Sequence, residues 1–133
     1  MQLSKSNTIK LGNLESRRSF LYVNDVAEGA IKLLKCKSKN VVFNLGSDKS
    51  YSVKELAHII GKIFGYKNIK VIMEEKRKRY PDPKILECNY SKIKSLTGWK
   101  PRTTFEEGMN KTIKWFLENG KRWAWQETYK KIY

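Results

Sequence analysis

Two arginine-bearing segments of this chain carry side chains that could bind an anionic ligand. Arg17 and Arg18 stand side by side near the start of the segment Ser16–Leu34, and Arg79 opens the segment that ends at Asp82. A guanidinium group offers a planar fork of N–H donors that matches phosphate oxygens. A carboxylate offers acceptors to ribose or sugar hydroxyls. Each segment is therefore a candidate ligand site, and for each the alternative is a solvated basic surface.

The arginine pair is followed by a predicted strand and helix that would hold it in place. Phe20–Val23 is an aromatic and β-branched run typical of a short strand, and Asn24 or Asp25 is suited to cap a helix that runs to Leu34. The apolar residues of this helix have the spacing of a buried face: Val26, Ala27, Ala30, Ile31, Leu33 and Leu34. The arginines are thus expected at the entrance of a strand-to-helix junction.

The second segment is a turn stiffened by two prolines. Pro81 and Pro83 restrict the backbone around Asp82, which lowers the entropy lost when a ligand binds. A further candidate is Asn44, near the end of the run Val41–Leu45. This continuous apolar run predicts a strand buried on both faces, and its Asn44 amide could turn toward a ligand.

The rest of the chain predicts short strands alternating with helices. Strands are expected at residues 8–11, 69–73 and 85–86. Capping boxes at Ser52–Glu55 and Thr104–Glu107 open two helices, and a short helix covers Ser91–Leu96. Gly65 and Gly98 are expected to end the helices that precede them. The chain is therefore expected to be a small mixed α/β unit.

The charge of the chain favours anionic partners. It has 28 Lys and Arg against 13 Asp and Glu, a formal net charge of +15, which attracts nucleic acid, acidic membrane or a phosphorylated substrate. Most lysines are dispersed, but residues 120–133 form a basic tail, predicted to be helical, that carries Trp123, Trp125 and Tyr129. This tail supports an alternative interpretation as a nucleic-acid-binding module. No apolar run is long enough to span a membrane and the N-terminus lacks a signal peptide's apolar core, so we expect a cytoplasmic protein without a membrane partner.

Several kinds of catalytic site lack the residues they need. His58 is the only histidine, which excludes sites built from two, and we expect it to be partly buried in a helix. Cys36 and Cys88 have no CxxC spacing and are expected to be free buried thiols, so no metal site is predicted. There is no GxGxxG or GxxxxGK[ST] loop to hold a dinucleotide. Tyr-x-x-x-Lys spacings occur at 66/70, 80/84 and 90/94, and chance alone accounts for such pairs in a chain rich in both residues.

Five segments in this order carry a family resemblance: RRSFLYVNDVAEG, FNLGS, SVKELAHIIGK, RYPDPKILECNYSKIKSLTGWKP and FEEGMNKTIKWF. Over residues 8–119 the chain resembles the C-terminal half of the extended short-chain dehydrogenase/reductase family. It is most similar to nucleotide-sugar 4,6-dehydratases and epimerases of the GDP-mannose and dTDP-glucose dehydratase types. The resemblance implies an α/β fold, the substrate-binding portion of such an enzyme without its Rossmann domain.

The resemblance also implies a nucleotide-diphosphate sugar as ligand and a set of residues that bind it. Arg18 matches the arginine that contacts the nucleotide diphosphate, and Asn44 matches the asparagine near the nucleotide. Arg79 begins the family's R-P-x-D turn, and Asp82 is its acidic partner near the ribose. The chain departs from the family pattern after each arginine, where Ser19 replaces Asp and Tyr80 replaces Pro.

In that family the glycine-rich loop, the catalytic Ser or Thr and the Tyr-x-x-x-Lys helix belong to the N-terminal half, which binds NAD(P). The resemblance therefore implies that this chain binds no cofactor, supplies no catalytic residue and is inactive by itself. The complete enzymes are NAD(P)-dependent lyases (dehydratases) or isomerases (epimerases). The expected partners are a separate Rossmann-domain chain or a further copy of this chain. A functionless remnant is the other alternative.

Overall fold

A computed structural model describes residues 7–37 and 40–119. The tail predicted to be helical, with Trp123, Trp125 and Tyr129, lies outside this part of the chain. The strands are β1 (Thr8–Leu11), β2 (Arg17–Ser19), β3 (Ser50–Ser52), β4 (Lys70–Met73) and β5 (Ile85–Leu86). The helices are α1 (Val23–Leu34), α2 (Val53–Ile63), α3 (Ser91–Thr97) and α4 (Phe105–Asn119), with a 3-10 turn at Glu75–Arg77. The expected mixed α/β architecture is confirmed.

The strands form two small sheets. In one sheet β1 pairs with β4 in parallel, with Ile9 opposite Val71. In the other, β2 lies between β3, which is antiparallel to it, and β5, which is parallel to it. Ile9 and Ala57 are the buried centre of an apolar cluster in which α2 packs on the first sheet, together with Leu11, Ile60, Phe64, Tyr66, Ile69 and Val71. The sheet and α2 share this cluster because the strand residues are apolar on the face that meets α2.

A second packing centre is built around Trp99. Its side chain is fully buried, and its indole N–H donates to the backbone carbonyl of Asp25, 3.0 Å away. Gly29 lets α1 approach closely, because a Cβ atom at that position would lie 3.1 Å from the indole ring and 2.5 Å from the Leu45 side chain. The buried Asp25 carboxylate accepts from the backbone N–H and the hydroxyl of Thr103, at 3.0 and 3.2 Å. These contacts attach α1 to the Trp99–Thr103 loop.

The predicted helix boundaries are largely confirmed. The Ser52–Glu55 capping box is complete, with both reciprocal hydrogen bonds formed. Gly65 and Gly98 adopt positive φ values of 79° and 68° just beyond α2 and α3, conformations that favour glycine. The second box is half formed: the backbone N–H of Glu107 donates to Thr104, while the Glu107 carboxylate binds Lys111 at 2.7 Å.

The start of α1 differs from the prediction. The strand is not Phe20–Val23 but Arg17–Ser19, and the helix begins at Val23 with no side-chain cap. Phe20 instead packs against Phe105, with ring centroids 5.6 Å apart. Asp25 cannot cap the helix because its carboxylate is bound to Thr103. Tertiary contacts have therefore overridden local capping preference at this junction.

The predicted buried face of α1 is also wrong. The buried residues of this helix are Asp25 and Gly29. The reason is that the Trp99 indole packs on the helix at Gly29, which has no side chain. Residues 41–45 form no strand, and Val42 is 82% exposed. His58 is exposed rather than partly buried. Cys36 and Cys88 are thiols rather than a disulfide, as predicted, but both are only half-buried.

Within the described residues, no helix is long and apolar enough to cross a membrane.

Candidate functional site

The candidate site is centred on the carboxylate of Asp82. One oxygen accepts from the Asn13 side-chain amide at 2.8 Å and from the Ser16 hydroxyl at 2.5 Å. The other oxygen is bound by Arg18 Nη2, also at 2.5 Å. The Asp82 side chain is 14% exposed, so these bonds form at the edge of solvent. We call these four residues, Asn13, Ser16, Arg18 and Asp82, the Asp82 cluster.

Pairing of β2 with β5 brings the two arginine segments together. The parallel register places Arg18 beside Leu86, and the backbone N–H of Arg17 donates to the Lys84 carbonyl at 2.7 Å. The turn that precedes β5 therefore folds onto the start of β2. Arg18 Nη1 donates to the carbonyl oxygens of Pro83 and Arg17, at 2.9 and 2.7 Å. The Arg18 guanidinium thus joins the strand to the proline turn.

Asn13 fixes the start of the same turn. Its amide nitrogen donates to the Arg79 carbonyl at 3.2 Å, and its amide oxygen accepts from the Arg79 backbone N–H at 3.3 Å. Gly12 is needed just before it, since a Cβ atom there would lie 2.2 Å from the Arg77 carbonyl oxygen. The Arg79 backbone is consequently held beside the Asp82 cluster, while Arg79 itself is exposed.

Arg17 has a different environment from its neighbour. Its guanidinium binds Glu55 at 3.0 Å and the Ser50 carbonyl at 2.7 Å. Successive side chains of a strand point to opposite faces, so Arg17 faces β3 and α2 while Arg18 faces the proline turn. The Ser52 backbone N–H donates to the Glu55 carboxylate at 2.6 Å and contributes most to lowering the pKa of Glu55. The Ser52 side chain and then Arg17 lower it further. Arg17 therefore stabilises the start of α2.

The structure brings together three of the four ligand-binding residues expected from the sequence: Arg18, Arg79 and Asp82. Arg18 and Asp82 are in direct contact, and Asn13 links both Asp82 and the Arg79 backbone. Asn44 is exposed, and among the described residues no hydrogen bond joins its side chain to this group. Its segment approaches the other end of β2, where the Ser47 backbone N–H donates to the Ser19 hydroxyl at 3.0 Å.

Sequence reasoning missed Asn13 and Ser16. Both lie in the polar loop between β1 and β2, which carries no motif of its own. A weak signal was available: a Gly-Asn pair directly after a strand predicts a tight turn that could direct a polar side chain toward a neighbouring segment. The partner of that side chain, 69 residues away, could not be read from the sequence.

We expect the Asp82 cluster to make the free energy of unfolding fall at acid pH. The Ser16 hydroxyl contributes most to lowering the pKa of Asp82, followed by Asn13 and then Arg18. A carboxyl whose pKa is lower when folded contributes stability above its unfolded pKa of about 3.9, and this is lost as pH falls through the folded value. Urea unfolding should therefore show that the free energy of unfolding falls less between neutral pH and about pH 2.5 in Asp82→Asn than in the parent chain.

Two further variants control that measurement. Ser16→Ala should also reduce the acid loss, because it removes the largest contribution to the Asp82 shift. Glu118→Gln removes one negative charge near the end of α4, outside the cluster. An equal reduction in Glu118→Gln would show that overall charge, rather than the cluster, causes the effect.

Comparison with known proteins identifies the family. The sequence model for the GDP-mannose 4,6 dehydratase family matches residues 1–112. The chain is 34% identical over 113 residues to a trifunctional UDP-glucose 4,6-dehydratase/UDP-4-keto-6-deoxy-D-glucose 3,5-epimerase/UDP-4-keto-L-rhamnose-reductase of Arabidopsis thaliana, covering 85% of this chain and 17% of that protein. It is 32% identical over 110 residues to dTDP-D-glucose 4,6-dehydratase of Bos taurus, covering 80% and 31%.

A solved structure agrees with these relationships. UDP-glucose 4-epimerase from Thermotoga maritima, solved with UDP-glucose, superposes with a TM-score of 0.74 and 28% identity, over 84% of this chain and 35% of that one. The chain thus spans roughly a third or less of the length of these relatives. It belongs to the GDP-mannose 4,6-dehydratase family, among the nucleotide-sugar dehydratases and epimerases of the extended short-chain dehydrogenase/reductase family.

Proposed function

We propose that this chain binds the nucleotide-diphosphate sugar for an NAD(P)-dependent dehydratase or epimerase, through Arg18, Asn44, Arg79 and Asp82. The observation that carries the proposal is the Asp82 cluster, which ties Arg18 to the turn that begins with Arg79. The Arg18 guanidinium and the Arg79 backbone are thereby attached to one small, hydrogen-bonded framework. A preorganised guanidinium beside a second, exposed arginine suits the several oxygens of a diphosphate.

The hydrogen bonds of Arg18 leave it able to bind an anion. A guanidinium has five N–H donors, and the described contacts use both on Nη1 and one on Nη2. The Nε–H and the second Nη2–H remain for phosphate oxygens. Asp82 Oδ1 accepts from Arg18 and keeps a lone pair for a ribose hydroxyl, so one carboxylate both orients the arginine and receives the sugar.

The cofactor would have to be held by residues outside this chain. The family enzymes use NAD(P), but these 133 residues contain no glycine-rich loop of the kind that binds a dinucleotide pyrophosphate. The chain's role in this proposal is therefore to bind and orient the substrate, with the redox chemistry supplied elsewhere. Neither cysteine is in a disulfide, which fits a reducing compartment such as the cytoplasm.

Arg79→Ala tests the proposal without disturbing the framework. Because Asn13 binds the Arg79 backbone rather than its side chain, the variant should keep the stability of the parent chain. Loss of one charge-assisted phosphate contact should weaken binding about tenfold or more. Calorimetric titration with UDP-glucose, dTDP-glucose and GDP-mannose, with and without the cofactor-binding part of a relative, measures the effect.

The matched control is Arg102→Ala. Arg102 is an exposed arginine paired with Glu28 at 3.3 Å, so the variant removes the same charge at another site. Equal weakening of sugar binding in both variants would show that overall charge, rather than the Arg79 side chain, causes the effect. Absence of heat with all three sugars under both conditions would contradict the proposal, and steeply salt-dependent binding of RNA in its place would favour a nucleic-acid-binding module.

A further inference from the structure

A cavity lies between the end of α2 and the residues that precede β4. Its volume is about 510 Å³, within the range of about 300 to 1,000 Å³ that is typical of small-molecule sites. Its walls are formed by six residues: His58, Lys62, Gly65, Tyr66, Lys67 and Ile69. None of them belongs to the Asp82 cluster or to the ligand-binding residues expected from the sequence. We call this cavity the α2 cavity.

The polar side chains of the α2 cavity include two lysines and the histidine but no acidic residue. His58 and Lys62 lie four residues apart in α2, so they project from the same face of the helix. Lys67 follows the turn that ends the helix. Among residues 7–37 and 40–119, no hydrogen bond or ion pair involves any of these three side chains. The α2 cavity therefore presents positive charge that no neighbouring carboxylate offsets.

The backbone closes the end of α2 without help from the lysines. The Gly65 N–H donates to the Lys62 carbonyl at 2.9 Å, and the Tyr66 N–H donates to the Gly61 carbonyl at 3.0 Å. These are the two hydrogen bonds of a Schellman motif. Lysines near a helix end often bind its last carbonyls, but here backbone N–H groups already occupy two of them. Lys62 and Lys67 can therefore bind an external anion.

The rest of the wall is an aromatic ring and an aliphatic side chain. Tyr66 and Ile69 are half-buried, and both pack against the apolar cluster around Ile9 and Ala57. The helix approaches closely at Gly61, because a Cβ atom there would lie 2.7 Å from the Ile69 side chain. The core thus fixes Tyr66 and Ile69 from behind. A flat ring that stacks on Tyr66 would meet a preorganised surface, which limits the entropy lost on binding.

We propose that the α2 cavity binds a small aromatic phosphomonoester, such as a nucleoside monophosphate. A terminal phosphate carries a charge of about −1.5 to −2 at neutral pH, and Lys62 and Lys67 neutralise it. His58 supplies a further N–H donor to its oxygens, and the aromatic group lies on Tyr66. A nucleotide-diphosphate sugar has no terminal phosphate, so this site takes a different ligand from that of the proposed function.

Titration of the full chain with adenosine 5′-monophosphate (AMP), adenosine and inorganic phosphate separates the contributions of ring and phosphate. AMP should bind at least about tenfold more tightly than either fragment, because each fragment makes only part of the contacts. Amide chemical shifts should change at residues 58–69 and stay constant at Arg18 and Asp82. Three results overturn the proposal: no saturable AMP binding, a fragment that binds as tightly as AMP, or shift changes centred on Arg18 and Asp82.

A pair of double substitutions tests the role of the lysines. Lys62→Gln/Lys67→Gln should weaken AMP binding at least about tenfold, because it removes both positive charges that face the phosphate. Lys100→Gln/Lys114→Gln is the matched control, since these lysines are also exposed and lie outside the α2 cavity. Equal weakening in the two double variants overturns the proposal, because the net charge of +15 would then be what attracts the ligand.

Substitutions of Tyr66 test the role of the ring. Tyr66→Phe keeps the ring and should bind AMP as the parent chain does. Tyr66→Leu keeps an apolar side chain against the core but removes the stacking surface, so its AMP affinity should fall toward that of inorganic phosphate. Circular dichroism establishes that both variants are folded. A folded Tyr66→Leu chain with the AMP affinity of the parent chain overturns the proposal.

Arg79→Ala keeps this proposal separate from the proposed function. The variant should weaken nucleotide-sugar binding but leave AMP affinity unchanged, because Arg79 does not line the α2 cavity. A chain that binds AMP at the α2 cavity but no nucleotide sugar refutes only the proposed function. Loss of AMP binding in Arg79→Ala refutes only the α2 cavity as the AMP site.

Discussion

Replacing Trp99 by alanine is expected to lower the free energy of unfolding by about 4 kcal/mol. The Trp99 side chain is fully buried, and its indole lies so near α1 that a Cβ atom at Gly29 would be 3.1 Å from it, so its removal leaves a large cavity under α1. It also removes the indole N–H that binds the Asp25 carbonyl. Among the described residues only four apolar side chains are buried, so neighbouring groups can compensate little. Urea denaturation followed by circular dichroism measures the change.

Trp115→Ala is the matched control for this prediction. Trp115 is 43% exposed on α4, and substitution of a partly exposed side chain should cost about 1 kcal/mol or less. Equal losses of stability in the two variants would mean that Trp99 is not a packing centre. An unfolded Trp99→Ala chain fits the prediction, provided that Trp115→Ala remains folded under the same conditions.

Gly12→Ala is expected to cost about 3 kcal/mol and to disturb the candidate site. The obstacle to a methyl group is the Arg77 carbonyl, 2.2 Å from the added Cβ, with the carbonyl carbon at 2.7 Å. Backbone atoms cannot rotate away as a side chain can, so the Glu75–Arg77 turn must shift. Because Asn13 follows Gly12 and holds the Arg79 backbone, the shift should displace Arg79. Nucleotide-sugar affinity should therefore fall together with stability.

Gly65→Ala is the control for Gly12→Ala, because it introduces backbone strain without a close contact. Gly65 has a φ of 79°, but an added Cβ would meet no atom within 4 Å, so its cost should be about 1 kcal/mol. Its position beyond α2 is outside the Asp82 cluster, and nucleotide-sugar affinity should not change. If Gly12→Ala costs no more than Gly65→Ala, the close approach of β1 to the Glu75–Arg77 turn does not constrain the fold.

The Asp82 cluster shows how far the candidate site can be predicted. Residue type could select Arg79, Asp82 and the pair Arg17 and Arg18, because guanidinium forks and a proline-stiffened carboxylate suggest ligand binding. The family resemblance then singled out Arg18 from the pair. Their assembly could not be derived, since it depends on parallel pairing of β2 with β5, whose paired residues are 68 positions apart. Asn13 had only the weak signal of a Gly-Asn turn after β1, because its role exists only once the proline turn lies beside it.

Sequence alone determined the features that depend on neighbours within a few residues. These are the capping box at Ser52, the glycine ends of α2 and α3, the short strands β1 and β4, and the order of motifs that indicates the family. Their energetics are local, so composition and spacing suffice. The orientation of α1 was different. Its apolar spacing predicts a buried face, whereas the structure turns Gly29 inward and leaves Leu34 outside.

Only the tertiary structure could decide that orientation, because the choice depends on Trp99, 70 residues further along the chain. The bulky indole packs on α1 at Gly29, which has no side chain. The hydrogen bonds between Asp25 and Thr103 hold the helix in that rotation. Periodicity identifies the apolar stripe of a helix, but it does not identify what will cover it. In the described part of this protein, Trp99 and Leu45 cover the Gly29 side of α1, and Ile31 and Leu34 on the other side are exposed.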